Sequence, residues 1–395
     1  MLNSSFPREE WFKELFGFYE TTRDVQKYIT VNEDQNGVTF LSSIKNGNKK
    51  YQAGKFSLET PSTLRKSNLL KNKSGKQGKF NIVHGSGMNS KKLEYVDIMT
   101  SCSSPKFNGA TFQVASNFNC LEFSSSLDSQ IASLGVTNYA FNVTQGPSAA
   151  ISTAAGAIYR NYFINHESSS RNIKNEVNNT HFHKSESNHQ NNNLNEIGQF
   201  GKQINLLQNT PLNVIQGRPR IENKHEIERL KSLHFDWQNL NNYFIGNHQH
   251  LEVCLTRGDT PNTYKNVTDK QIVHQVYAAA FNFYDCVIPH NFAFEISRSL
   301  LHSEYVSTIL AAWKNSNEFP KSEGSHICFL TLLGGGVFLN PPEVVAPAIA
   351  MCEEVIAESG LDVNLVCFDD DTFKVYAPLL ENTMRRTCGR IITTD

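Results

Sequence analysis

Three consecutive glycines, Gly334, Gly335 and Gly336, stand between the apolar run HICFLTLL (326–333) and the proline-led segment PEVVAPAIAMCEEVIAES (342–359). Glycine permits positive φ and close approach to the backbone. Free N–H groups in such a loop, with a helix start behind them, make a concavity for a phosphate or pyrophosphate. The alternative is a plain tight turn. No Gly-Lys-Ser/Thr follows, so this is not a Walker loop, and GGGVFLN lacks the G-x-G-x-x-G spacing of a dinucleotide fingerprint. Two other stretches carry groups suited to the rest of a nucleotide. Asn117 and Asn119 end the run in VASNFNCLEF, where their amides could bond sugar hydroxyls or cap a turn. Gln145, Gly146, Pro147 and Ser148 open a small-residue segment whose backbone a ligand could reach. Together these stretches suggest a ligand of the diphosphate nucleotide-sugar class.

The elements that must position these residues can be read from the apolar pattern. Residues 109–123 read as a buried strand, 146–163 as a helix and 294–314 as a helix. A strand over 326–333 is followed by a helix over 342–359, a strand over 362–369 and a last helix in FKVYAPLLEN. Asp269 and His274 are expected at the start of a helix within the apolar stretch around 271–288. Alternating elements with continuously apolar strands predict an α/β fold whose sheet is covered on both faces, with ligands beyond the carboxyl ends of strands.

Residues 7–20 read as a short helix with Trp11, Leu15 and Phe16 on its apolar face. Residues 30–60 read as strands joined at Asn46-Gly47. Residues 64–91, rich in Lys, Ser, Asn and Gly, read as a mobile connection, and 165–200 as a disordered or flexible insertion. His166, His181, His183 and His189 within that insertion match no zinc spacing. Two units are expected: residues 1–94 as an extension packing on the core, and 95–395 as the ligand-binding domain. The helix of the extension is a candidate contact for a protein substrate.

The chain has 395 residues, with 37 basic and 38 acidic ones. That balance gives no general reason to expect nucleic acid or a membrane surface as partner. The eight cysteines form no C-x-x-C pair and several lie in apolar runs, so buried reduced thiols are expected. Asp369, Asp370 and Asp371 resemble a divalent-metal site but also suit a helix N-terminus, the reading preferred here. No secretory leader and no membrane-length run is read, so a cytoplasmic or nuclear protein is expected.

Taken in order, FQVASNFN, QGPSAA, FLTLLGGGVFLNP and VNLVCFDDDTFKVY resemble the macrodomain family over roughly residues 95–395. The family is a three-layer α/β/α fold that binds ADP-ribose. WFKELFGF, QGPSAAIS and INLLQNTPLNV are similar to a divergent subgroup with an N-terminal extension, represented by a bacterial-effector hydrolase that removes ADP-ribose from arginine. The resemblance implies a distal ribose at Asn117 and Asn119, and a ribose and pyrophosphate wall at Gln145–Ser148. It implies a phosphate cradle at Gly334, Gly335, Gly336, Val337 and Phe338, closed by Asn340, with Phe368 or Asp369 beside the adenine. Its implied partner is ADP-ribose or an ADP-ribosylated protein, ubiquitin being one candidate carrier. No cofactor or metal is expected.

The chain departs from the poly(ADP-ribose) glycohydrolases, which carry a glutamate pair after a glycine-rich first loop. Here Ser-Ala-Ala stands there, so a catalytic carboxylate must come from elsewhere. Asp259 and Asp269, in CLTRGDTPNTYKNVTDKQIVHQVY, are the candidates by similarity to the subgroup. A carboxylate could hold the departing guanidinium in a bidentate bond, or orient the attacking water. An Asx-turn and a helix cap are their alternative roles. His274 is expected to pack or to satisfy a local hydrogen bond, a general base being its alternative role. The expected activity is hydrolysis of the N-glycosidic bond to arginine. A binding module that reads ADP-ribose without turnover, or a hydrolase of another ADP-ribose derivative, are the alternatives.

Overall fold

A ten-stranded mixed sheet runs through the computed structural model, which describes residues 4–73, 75–123, 131–164, 197–221, 223–283 and 290–395. In chain order the elements begin with β1 (Phe6–Pro7), α1 (Trp11–Phe16), α2 (Thr22–Tyr28), β2 (Ile29–Glu33), β3 (Thr39–Ser43), β4 (Lys50–Glu59), α3 (Pro61–Arg65) and β5 (Lys79–His84). Next come α4 (Ile98–Ser103), β6 (Thr111–Ser116), α5 (Gln145–Ser152), α6 (Ala154–Tyr162), β7 (Val214–Ile215), β8 (Arg218–Pro219) and α7 (Lys224–Ser232). Strands β9 (Ile245–Glu252), β10 (Leu255–Arg257), β11 (Thr263–Asn266) and β12 (Ile272–Ala279) precede the long α8 (His290–Glu318). The chain closes through β13 (Ile327–Leu330), α9 (Pro342–Ala350), α10 (Glu353–Ser359), β14 (Asp362–Cys367), α11 (Asp370–Arg386) and β15 (Ile391–Thr393).

The sheet order is β15-β5-β14-β13-β6-β12-β9-β4-β3-β2. From β15 to β12 neighbouring strands are parallel, and beyond β12 they are antiparallel. Side chains alternate between the two faces of a strand. Ile82, Val276, Leu330 and Leu365 face α8, α9 and α10. Phe112, Val273 and Phe329 point to the opposite side, which carries α4, α5 and α6. The α/β expectation, with a sheet covered on both faces, holds.

Several local expectations change. Residues 64–91 are not one connection. Phe80, Ile82 and Val83 are fully buried in β5, which sits between β14 and β15. The apolar run FNIV was too short to stand out from the Lys- and Gly-rich stretch around it. Asp269 and His274 do not begin a helix, because β12 occupies this stretch with both faces buried. The expected helix over 342–359 is two helices, α9 and α10.

Residues 1–94 contribute β2, β3, β4 and β5 to the common sheet, so the boundary at 94 separates no independent sheet. Helix α1 is present, but Trp11, Phe12, Leu15 and Phe16 are all buried, which leaves its apolar side no surface for a substrate protein. The hairpin around Asn46-Gly47 forms, with Gly47 at φ 57°. The insertion lies mostly outside the described residues, as do its four histidines. Six of the seven described cysteines are buried and Cys388 is exposed.

Candidate functional site

The parallel half of the sheet opens at its carboxyl ends. β13 pairs with β6 only at Cys328–Thr111 and Phe329–Phe112, after which the two strands part. Gln145 fills the vacated ladder position. Its Oε1 accepts from Ala115 N–H at 3.0 Å and its Nε2 donates to Gln113 C=O at 2.7 Å, as a neighbouring strand would. Gln113 in turn accepts from Thr331 N–H at 3.3 Å and donates to Thr308 Oγ1 at 3.0 Å. The gap between the strands is therefore braced by side-chain amides.

In that gap lies a cleft of about 680 Å³. Its floor is Phe112, Gln113, Phe329, Leu330 and Thr331. One wall is Val143, Thr144, Gln145 and Ser148 at the start of α5, and Gly336 and Phe368 stand at the strand ends. The cover comes from Tyr95, Asp97, Ile98 and Ser101 around α4, together with Arg257 of β10. A cleft of this size, apolar with a few convergent polar groups, suits a small organic ligand.

The three glycines have three different jobs. Gly334 adopts φ 73°, and a Cβ there would lie 2.4 Å from Asn340 Nδ2. Asn340, buried, ties the loop down by donating to Phe281 C=O (2.7 Å) and accepting from Ser297 Oγ (2.7 Å). Its polar atoms are thus spent on the protein. A Cβ on Gly335 would lie 3.0 Å from the Tyr376 hydroxyl. Only at Gly336 would a Cβ meet nothing within 4 Å, and only Gly336 of the three lines the cleft. Val337 is exposed, and Phe338 packs against the α8 side of the core.

Gly146 serves the fold. A Cβ there would lie 2.0 Å from Ala115 C=O and 2.4 Å from Glu122 Oε2, so glycine lets α5 start directly on β6. Pro147 is buried beside it and does not line the cleft. Asn117 and Asn119 lie outside the cleft as well. Asn117 Nδ2 donates to Leu121 C=O and Phe123 C=O at 2.8 and 2.9 Å. Asn119 accepts from Leu121 N–H and donates to Gln203. Both amides cap the turn after β6. Phe368, half-exposed, is at the cleft.

The two aspartates stand at opposite ends of the β10–β11 hairpin, away from the cleft lining. Asp259 is exposed, accepts from Ser5 Oγ at 2.9 Å and pairs with Lys265 Nζ at 2.9 Å. Those bonds, Lys265 first, hold its carboxyl below the usual range. Asp269 lies exposed on the loop entering β12. His274 is buried, and its Nδ1 accepts from His250 N–H at 3.1 Å. Burial lowers its pKa to about 3, so it packs as a neutral ring. Asp369 caps α11 by accepting from Thr372 N–H at 2.9 Å, the role preferred for that acidic run.

Sequence reasoning missed Asp97 and Arg257. Asp97, buried, accepts from Thr100 N–H at the start of α4. It also accepts from Arg257 Nε at 3.1 and 3.2 Å and from Nη2 at 2.7 Å. Arg257 lies two residues before Asp259 in CLTRGDTP, where its local sequence resembles that of any loop arginine. Asp97 carried no local signal, because its partner is 160 residues away.

No family model matches the chain and no curated protein does. Among solved structures it is similar to poly(ADP-ribose) glycohydrolase from Deinococcus radiodurans in complex with ADP-ribose. The identity is 11% over 83% of this chain and 95% of that one, with a TM-score of 0.39. The poly(ADP-ribose) glycohydrolase from Thermomonospora curvata is 14% identical over 94% and 98% of the chains, with a TM-score of 0.42. At these values the likeness assigns neither activity nor site residues.

Proposed function

We propose that the cleft binds ADP-ribose and that the chain is an ADP-ribosyl hydrolase acting on arginine-linked ADP-ribose of proteins. One observation carries the ligand: a single cleft at the carboxyl ends of parallel strands combines the open glycine Gly336, the start of α5 and the aromatic Phe368. Such a set offers backbone donors to a diphosphate and a ring face to a base. The motif order in the sequence, similar to the macrodomain family, supports the same ligand. In the reaction a water attacks the anomeric carbon as the guanidine departs, through an oxocarbenium-like state. Asp259, kept ionised by Lys265 and Ser5, suits holding a guanidinium. Asp269 is proposed as the second carboxylate.

A non-catalytic reader is the second reading. It is favoured by the position of both aspartates off the cleft and by the commitment of the cleft carboxylate Asp97 to Arg257. Release of ADP-ribose from arginine-, serine- and glutamate-linked carriers separates the two. Hydrolysis predicts selective release from arginine, reduced at least 100-fold in Asp259→Ala, with ADP-ribose affinity kept. No release from any linkage, with ADP-ribose still bound, would leave the reader.

A further inference from the structure

Arg257 is used on one edge only. Its Nε and Nη2 grip Asp97, while Nη1 has no hydrogen-bond partner among the described residues. A guanidinium presents five N–H donors in a flat fork, and a second edge suits a second bidentate acceptor such as phosphate or carboxylate. Both members of the pair line the cleft, and Arg257 keeps 28% of its side chain exposed against 4% for Asp97. The aspartate is itself fixed as the cap of α4, accepting from both the backbone N–H and the hydroxyl of Thr100. Its buried charge is thus the anchor that aims the fork.

The pair does more than balance charge. A buried carboxylate needs a cation and bonds to its oxygens, and a lysine could neutralise Asp97 without offering a planar second edge. The arginine lies on the α4 side of the cleft, with Gly336 at the strand ends. The cleft thus offers an anion backbone at the strand ends and a pre-aimed guanidinium on the α4 side.

We infer that Arg257, aimed by Asp97, is the side chain that takes the phosphate oxygens of the ligand. This rests on the ADP-ribose reading for the identity of the ligand but not for the anion. Asp97 is a positioning residue, since it acts through Arg257. A guanidinium contact of this kind makes binding of the diphosphate part depend on Arg257 and leaves the nucleoside part indifferent to it.

The test is calorimetric titration of the full chain with ADP-ribose, adenosine and inorganic pyrophosphate, for wild type, Arg257→Gln, Arg257→Lys and the double variant D97N/R257Q. The double variant removes both charges together, so a fold disturbed by an orphaned Asp97 carboxylate is recovered there. The expected result is an ADP-ribose affinity at least tenfold weaker in Arg257→Gln and in the double variant. Arg257→Lys should be intermediate and adenosine affinity unchanged. Equal ADP-ribose affinity in folded variants, or an equal loss for adenosine, would overturn the inference. If wild type ignores ADP-ribose, the functional reading falls. Pyrophosphate then decides alone: binding that Arg257→Gln weakens upholds the inference, and binding that is unchanged or absent overturns it.

Discussion

Two arginines divide the work of this molecule. Arg160, in α6, is fully buried. Its Nε donates to Cys120 C=O at 3.1 Å, its Nη1 lies 3.1 Å from His248 Nδ1, and its guanidinium carbon stands 3.8 Å above the Tyr277 ring. Burial, and then the Arg160 charge, push His248 well below its ordinary pKa, so the neutral ring serves as acceptor. Arg257 makes its bonds to one carboxylate and faces the cleft. The same side chain is a structural cross-brace in one place and an aimed donor in the other. What separates them is whether a donor edge remains open to a cavity.

The comparison can be broken in order of expected effect. Arg160→Met should cost roughly 3–5 kcal/mol of stability, since it strands the groups that arginine serves in a dry interior. Chemical denaturation measures this, and an unchanged midpoint would show that Arg160 braces nothing. The glycines sharpen the same contrast. Gly146→Ala should cost about 3 kcal/mol, because its Cβ runs into the β6 backbone. Gly336→Ala should stay within about 0.5 kcal/mol of wild type in stability and show its effect in ADP-ribose affinity instead. Equal melting temperatures for the two variants would refute that division.

A further effect, read against pH rather than at one condition, concerns Glu122, whose Oε1 is buried without a hydrogen-bond partner. Burial raises its pKa to about 8 from 4.5, against the pull of Arg160. A raised folded value stabilises fully below about 4.5, and that stability is lost as pH climbs through 8. Glu122→Gln stays neutral throughout. Wild type should therefore lose melting temperature relative to Glu122→Gln between pH 5 and 8, and the two curves should run parallel above that. Parallel curves across the whole range would mean that Glu122 is ionised in the fold.

The parts of the fold that could be read in advance share one property: their apolar residues are consecutive and punctuated. HICFLTLL, GGG and the proline-led helix announce β13, its loop and α9 without outside help. β9 could not be read this way. Asn247, His248 and Gln249 look like surface residues, yet they are buried because Glu59, Arg160, Asn315 and Glu318 reach them from distant segments. The site divides similarly. Gly336, Ser148 and Phe368 were legible as strand-end and helix-start positions. The Asp97–Arg257 pair was not, since nothing within either local stretch points to the other. Asn117 and Asn119 show the reverse failure: residue types that suit a sugar also suit a turn, and only the geometry after β6 chose between them.

Strand β5 bears on how the chain assembles in time. Asn81 Nδ2 donates to Asn364 Oδ1 across 283 positions of sequence. The strand is flanked by β14 and β15, both of which follow it far along the chain. A newly made β5 thus waits with both edges bare until those partners emerge, and loop closure over that span is slow. Bare strand edges are what chaperones shield and aggregates recruit. The cleft, whose strand ends include β14, becomes competent only when that last pairing is made.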